Sequence, residues 1–307
     1  MKLFIKKSLL FIFMFLGVCI IIDCLSMQKS WQAFIDRMTN SEGFFTNNTV
    51  IGECIKKVQR DDHTTKLILG DSVLLQLLEP LEDELPKDTT MAASNSGVLV
   101  TGYYMMAKEY LNHHSGVTDI YLLVTPPFLF HYFMYNYQYS VIPFAKADLL
   151  KYLDDDAIKM MGSVYGDFFM KPKVASLVGD SGLSLRIYLY YHNLTSSRIN
   201  FELANIYLRK LYELCEENHI RFHLYSDPMS ETAKDEIERL KQDYGKFWIY
   251  DKCPEYLVNV PYYPKELFFE DQVHFDKKKI TTDILRKITA ENFPFLGLSE
   301  KPEKSEK

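Results

Sequence analysis

The sequence predicts an α/β fold, a three-layer α/β/α sandwich built around a parallel sheet of about five strands. Three observations carry that prediction. From Lys66 onward, short apolar segments alternate with segments of helical period, the order that parallel strands joined by crossover helices require. The clearest segment, "TDIYLLVTPP" (Thr118–Pro127), is apolar without alternation, as a strand covered on both faces must be. The first strand-like run, "KLILG", passes into Gly-Asp-Ser and at once into the apolar helical pattern "SVLLQLLEPL".

Ahead of that domain the chain opens with Lys2, Lys6 and Lys7 and then an apolar run from Leu9 to Ile22, broken by Asp23 and weakly extended by Cys24, Leu25 and Met27. A signal-peptide core is ~7–15 residues and a membrane span ~17–25, so the run falls between the two. No small-x-small cleavage site follows, and neither Cys19 nor Cys24 is preceded by a small residue. Residues 1–27 are therefore expected to form an uncleaved signal-anchor, one N-terminal membrane helix. Its lysines stay on the cytoplasmic side, which leaves the bulk of the chain periplasmic or extracellular. Residues 28–65 are expected to be stalk and linker, with "QKSWQAFIDRMTN" a short helix and "SEGFFTNNT" a loop.

The α/β domain is expected over 66–296. After "KLILG" and its helix, "DTTMAAS" (Asp88–Ser94) is a second, weaker strand. "GYYMMAKEYLNHH" is a helix with Tyr103, Met106, Ala107, Tyr110 and Leu111 on one face. The third strand is "TDIYLLVTPP". A helical, aromatic-rich insertion at about 128–200 interrupts the rhythm, and "NFELANIYLRKLYELCEENHI" resumes it as a long amphipathic helix. "RFHLYSDP" and "KFWIYD" are the fourth and fifth strands, separated by the solvent-facing helix "ETAKDEIERLKQDYG". The charged tail 297–307 is expected to be disordered.

Composition excludes some classes of function. With a net charge of −6 and a pI near 5.8 the chain has no basic surface for nucleic acid, which calls for a domain pI above ~9. Beyond the N-terminal run lie three cysteines, Cys54, Cys215 and Cys253, so at most one disulfide is expected there. No CxxC or His/Cys spacing suggests zinc. His113 and His114 are adjacent and so point in different directions. No metal and no cofactor is expected.

Ser72 stands where a strand stops and a helix begins. A serine there has two readings. It can cap the helix, or it can act as a nucleophile beside the amide groups and positive dipole end of the helix. Asp71 beside it is expected to hydrogen-bond the turn. The late segment "FFEDQVHFDKKKI" places Asp271 and His274 three residues apart, just before the last helix. One short loop can then present both to the same cleft, the histidine as base and the aspartate as its orienting partner. In parallel α/β folds ligands bind at the carboxyl ends of strands, and Ser72 is at such an end.

"LILGDSV" and "EDQVHF" resemble the first and last blocks of the SGNH/GDSL hydrolase family, whose fold is flavodoxin-like. "AASNSGVLVTGYYMMAKEYL" resembles the segment after the second strand in membrane-anchored members encoded with bacterial surface-polysaccharide genes. The resemblance covers roughly 66–131 and 250–288 and leaves the middle unmatched. It implies Ser72 as nucleophile, His274 as general base and Asp271 as its orienter, with an oxyanion hole from the Ser72 amide and either the Gly97 amide or the Asn95 side chain. One block departs: where the family has Gly-x-Asn-Asp after the third strand, this chain has Thr125-Pro126-Pro127, which offers no side-chain amide.

The function the resemblance implies is that of a serine esterase or acyltransferase acting on O-acyl groups, acetyl foremost, of a cell-surface carbohydrate. A catalytically silent scaffold of the same fold, binding polysaccharide or a membrane acyltransferase partner, is the alternative.

Overall fold

The computed structural model describes residues 2–26, 47–94, 100–129, 143–144, 147–165, 197–243 and 248–298. The chain divides into two compact units, one of Met1–Gly52 with Phe133–Thr195 and one of Glu53–Tyr132 with Ser196–Lys307. The first unit contains α1 (Lys2–Ser26) and α5 (Asp155–Tyr165), helices being numbered in chain order. Ala157 and Met161 are buried at an i, i+4 spacing on α5, while Asp154–Asp156 are exposed at its start. There they suit the positive end of the helix dipole.

Helix α1 spans the predicted anchor. Its described side chains, including Phe4, Phe11, Phe13 and Met14, are largely exposed. No helix among the described residues is long and apolar enough to cross a membrane. The expectation of a membrane-spanning helix over 1–27 thus has a helix of that extent but no span that meets the requirement.

The second unit is the α/β domain. α2 (Asn47–Val58) begins in the first unit and ends in the second, whose further elements include β1 (Lys66–Gly70), α3 (Ser72–Leu78), β2 (Thr89–Ala93), α4 (Val100–His113), β3 (Asp119–Leu123), α6 (Ser197–Glu217) and β4 (Arg221–Tyr225). It continues with β5 (Met229–Ser230), α7 (Lys234–Asp243), α8 (Trp248–Lys252), α9 (Glu255–Val258), β6 (Tyr262–Tyr263) and α10 (Thr282–Asn292). The main sheet is four-stranded and wholly parallel in the order β2-β1-β3-β4. Leu67, Ile68 and Leu69 of β1 are each fully buried. Because successive strand residues point to opposite faces, both faces of the sheet are covered. This is the layout of a doubly wound sheet, and its register aligns Gly70 with Ala93, Leu123 and, through β3, Tyr225.

Two expectations fail here. The fifth strand does not form: Trp248–Lys252 is helix α8, and the preceding 244–247 lie outside the described residues. A short apolar, aromatic run satisfies strand and helix patterns alike, and packing against α6, where Tyr212 meets Trp248 edge to face, decides for helix. The linker 28–65 is also not all linker. Residues 47–58 form α2, which buries Ile51, Cys54, Ile55 and Val58, the i, i+3, i+4, i+7 stripe of a core-facing helix. Its end is tied to the domain by Cys54 Sγ–H donating to the Ala93 carbonyl and Gln59 to Glu109.

Candidate functional site

The site begins with a glycine. β1 ends at Gly70, where an added Cβ would lie 2.6 Å from the Leu123 carbonyl oxygen and 2.8 Å from Leu74 Cβ. Only a residue without a side chain lets the chain leave the sheet and start α3 so close to β3. Asp71, extended at φ −91°, is the N-cap of α3: its Oδ1 accepts from the amides of Val73 at 2.8 Å and Leu74 at 3.5 Å. The capping role open to Ser72 therefore belongs to Asp71. The Ser72 hydroxyl is left to face elsewhere. Its amide is among the first N–H groups of a helix, which have no acceptor within it.

Ser72 Oγ lies 2.6 Å from His274 Nε2, 202 residues away in sequence. On the other side of the ring, His274 Nδ1 lies 2.6 Å from Asp271 Oδ2. With Nδ1–H donating to the carboxylate, Nε2 is left as acceptor for the serine proton. The structure thus brings Ser72, His274 and Asp271 into one hydrogen-bonded chain. Ser72 is 6% exposed while the His274 and Asp271 side chains are 24% and 50% exposed, so the chain runs from the buried strand end out to solvent.

Local sequence explains why Asp271 and His274 meet. Asp271 Oδ1 accepts from the amides of Val273 and His274, each at 3.0 Å, which closes a tight turn around the carboxylate. Gln272 takes φ +64° to complete it. The turn is the tip of a small hairpin closed by the Phe268–Phe275 bridge, whose rings stack at 4.7 Å, and by Phe269 N–H donating to the His274 carbonyl. The hairpin is docked onto α3 by Gln76, whose Oε1 accepts from the Phe275 amide. Burial works against the charge on Asp271, yet the bonds from the His274 ring and from the two amides prevail and hold its carboxyl below the ordinary value.

Three residues of this arrangement were not read from the sequence. Gln76 is the one polar side chain between Ser72 and Leu78 and lies one turn beyond Ser72. A lone amide on an apolar helix was the available signal. Thr125, which stands where the family resemblance would put an asparagine block, donates both its amide (3.0 Å) and its hydroxyl (2.7 Å) to Asp71 Oδ2. It clamps the turn and has no donor left for a substrate. Asp227, two residues beyond β4, is fully buried at the same end of the sheet, and nothing in "RFHLYSDP" signals that burial. The predicted oxyanion donors Asn95 and Gly97 lie outside the described residues.

The remaining candidates resolve as structural. His114 is buried, bonded to Asp62 and to the Tyr110 carbonyl and stacked on the Tyr110 ring at 3.9 Å. No group of residues that could hold a metal occurs among the described residues. Cys54, Cys215 and Cys253 are free thiols. Burial pushes Cys54 and Cys215 up to about 12 and Cys253 up to about 11, so none is a nucleophile at neutral pH. A cavity of about 500 Å³ follows β4 from Phe222 to Ser226 and does not include Ser72, Asp271 or His274.

Against known protein families, curated proteins and solved structures, the chain finds no match.

Proposed function

We propose that this protein is a serine-dependent esterase or acyltransferase with an SGNH-like, flavodoxin-type domain. The observation that carries the reading is the chain Ser72 Oγ–His274 Nε2, His274 Nδ1–Asp271 Oδ2, each link 2.6 Å. In this mechanism Nε2 takes the Ser72 proton as Oγ attacks the ester carbonyl carbon. The imidazolium, paired with Asp271, then returns the proton to the leaving alcohol, and an acyl-serine remains. Water or a second hydroxyl enters, activated by the same nitrogen, and completes hydrolysis or transfer. The oxyanion meets the Ser72 amide and the positive end of α3; the resemblance assigns the second donor to the Gly97 amide or the Asn95 side chain.

The substrate class, O-acyl groups of a cell-surface carbohydrate with acetyl foremost, rests on the SGNH/GDSL resemblance of "LILGDSV" and "EDQVHF" and is an argument by analogy. The proposed location has a different basis. The lysine-led apolar run at the N-terminus favours a domain held at the outer face of a membrane. Retention of the full chain in membranes through an alkaline carbonate wash is the expected result, and recovery in the supernatant would remove the anchor.

One observation favours the scaffold alternative. Thr125, at the position of the family's Asn block, is engaged with Asp71 and gives no oxyanion donor. On that reading the fold binds polysaccharide or a membrane acyltransferase partner without turnover. Labelling with a fluorophosphonate probe separates the two. Wild-type protein should be labelled at Ser72 and Ser72→Ala should not, with stability little changed because Asp71 is the cap. Labelling that persists in Ser72→Ala, or wild-type protein that never reacts, would reject the esterase.

A further inference from the structure

Asp227 is the buried acid that the proposed mechanism does not use. It follows β4 in Ser226-Asp227-Pro228 and is 0% exposed. Among the described residues neither of its carboxyl oxygens receives a hydrogen bond. A buried carboxylate without donors is not tolerated as an anion; it takes up a proton or finds a cation. No cation among the described residues acts on it, and the group among them that bears on its ionisation is Asp71. The sheet explains the meeting. Gly70, Leu123 and Tyr225 are in register across β1, β3 and β4, so the residues just beyond them, Asp71, Thr125 and Asp227, gather at one end of the sheet.

Asp71 is already supplied with donors. Val73 and Leu74 amides bond one oxygen, and the Thr125 amide and hydroxyl bond the other. Those donors suit an anion, whereas Asp227 has none among the described residues. Two carboxyl groups in such a position hold one proton between them. Among the described residues, the other titratable groups coupled to the pair are the phenols of Tyr103 from α4 and Tyr256 from α9, both buried and both felt by the two aspartates. The Tyr256 hydroxyl is committed to the Val124 carbonyl.

We propose that Asp227 carries the proton of a carboxylic acid–carboxylate pair with Asp71, and that this pair positions the turn bearing Ser72. Asp227 is then a positioning residue: its O–H donates to Asp71, Asp71 fixes the start of α3 and the Thr125 backbone, and Ser72 is held against His274. The effect on reactivity rests on the reading of Ser72 as nucleophile; the shared proton does not. Burial first, and then the Asp71 charge and hydrogen bond, push the Asp227 carboxyl well above its ordinary value. Alkaline pH removes the shared proton and leaves two buried anions side by side. Their repulsion pulls Asp71 off its donors and displaces Ser72.

The test compares wild-type protein with Asp227→Asn and Asp227→Leu. Neither Asn nor Leu can ionise, but the amide of Asn still donates to Asp71 while Leu has no donor. At pH 6, fluorophosphonate labelling of Asp227→Asn should stay within about threefold of wild type. Asp227→Leu, if folded, should lose at least about tenfold, since misplacing a reacting atom by ~1 Å can cost ~10²-fold. From pH 6 to 10 the wild-type rate should fall relative to that of Asp227→Asn, and a constant ratio overturns the proposal. Thermal unfolding from pH 4.5 to 9 reads the proton independently of chemistry. Asp227 is raised in the folded state, so wild-type stability should fall relative to Asp227→Asn as pH rises above the ordinary carboxylate value of ~3.9. If wild-type protein is never labelled yet its Tm shows that fall, the esterase reading fails and the pair stands. A Tm difference that does not change with pH rejects the pair.

Discussion

A single methyl group added at residue 70 tests how the nucleophile turn is held. In Gly70→Ala the new Cβ would meet Leu74 Cδ2 at 2.2 Å, the Leu123 carbonyl oxygen at 2.6 Å and Leu74 Cβ at 2.8 Å. The Leu74 methyl can rotate away, but the Leu74 Cβ belongs to the frame of α3 and the carbonyl to that of β3. Restoring those two contacts to ordinary packing of ~3.5 Å requires α3 and β3 to part by about 0.7–0.9 Å. Overpacking of this kind costs about 1–3 kcal/mol, which lowers Tm by roughly 3–10 °C for a domain of this size. The displacement also acts where it matters, because Ser72 opens α3 and its bond to His274 is only 2.6 Å long. A shift approaching 1 Å should slow reaction of Ser72 by about 10²-fold. The assay is the second-order rate of fluorophosphonate labelling, read beside thermal unfolding. Gly52→Ala is the control. Its Cβ meets nothing within 4 Å, it lies inside helix α2, and it should gain about 0.4–1 kcal/mol with no change in labelling. A folded Gly70→Ala that labels within threefold of wild type would refute the argument that this contact places Ser72.

Four further outcomes are expected. Asp271→Asn leaves the imidazole free to take the wrong tautomer and should lower hydrolysis of a small acetyl ester by about 10⁴-fold. A wild-type rate that stays flat from pH 5 to 8 would argue against an imidazole base. Thr125→Val removes one of the two donors on Asp71 Oδ2 and should lower stability by about 1–2 kcal/mol; an unchanged urea midpoint would show that the clamp contributes nothing. Burial opposes charge on both Asp271 and Asp119, but bonds from His274 to the first and from Arg221, His223 and Thr118 to the second hold both carboxyls below their ordinary value. Their stabilisation is present above ~3.9 and lost as pH falls through the depressed values. Tm should therefore drop on acidification below about pH 4, and by less in Asp119→Asn, where one of those groups no longer titrates.

The sequence by itself determined the elements whose signals are local. The strand runs at Lys66, Thr89, Asp119 and Arg221 and the helices between them follow from apolar period and turn chemistry, which neighbouring residues set without help from the rest of the chain. The Asp271–His274 bond was legible for the same reason, since a carboxylate three residues before a histidine can accept from its amide and its ring within one turn. The family resemblance, and not periodicity, suggested that Ser72 belongs with those two. Tertiary structure decided what depends on distant parts of the sheet. Ser72 meets His274 across 202 residues, and Gln76 on α3 docks the hairpin that makes this possible. "KFWIYD" satisfied a strand pattern, and packing of Trp248 against α6 made it a helix. The reading of Ser72 as a possible cap gave way because Asp71, one residue earlier, already reaches the same amides. Asp227 was out of reach altogether. Burial is a property of the assembled sheet, and only when β1, β3 and β4 align do Asp71, Thr125 and Asp227 share one end of it, with too few donors for two charges.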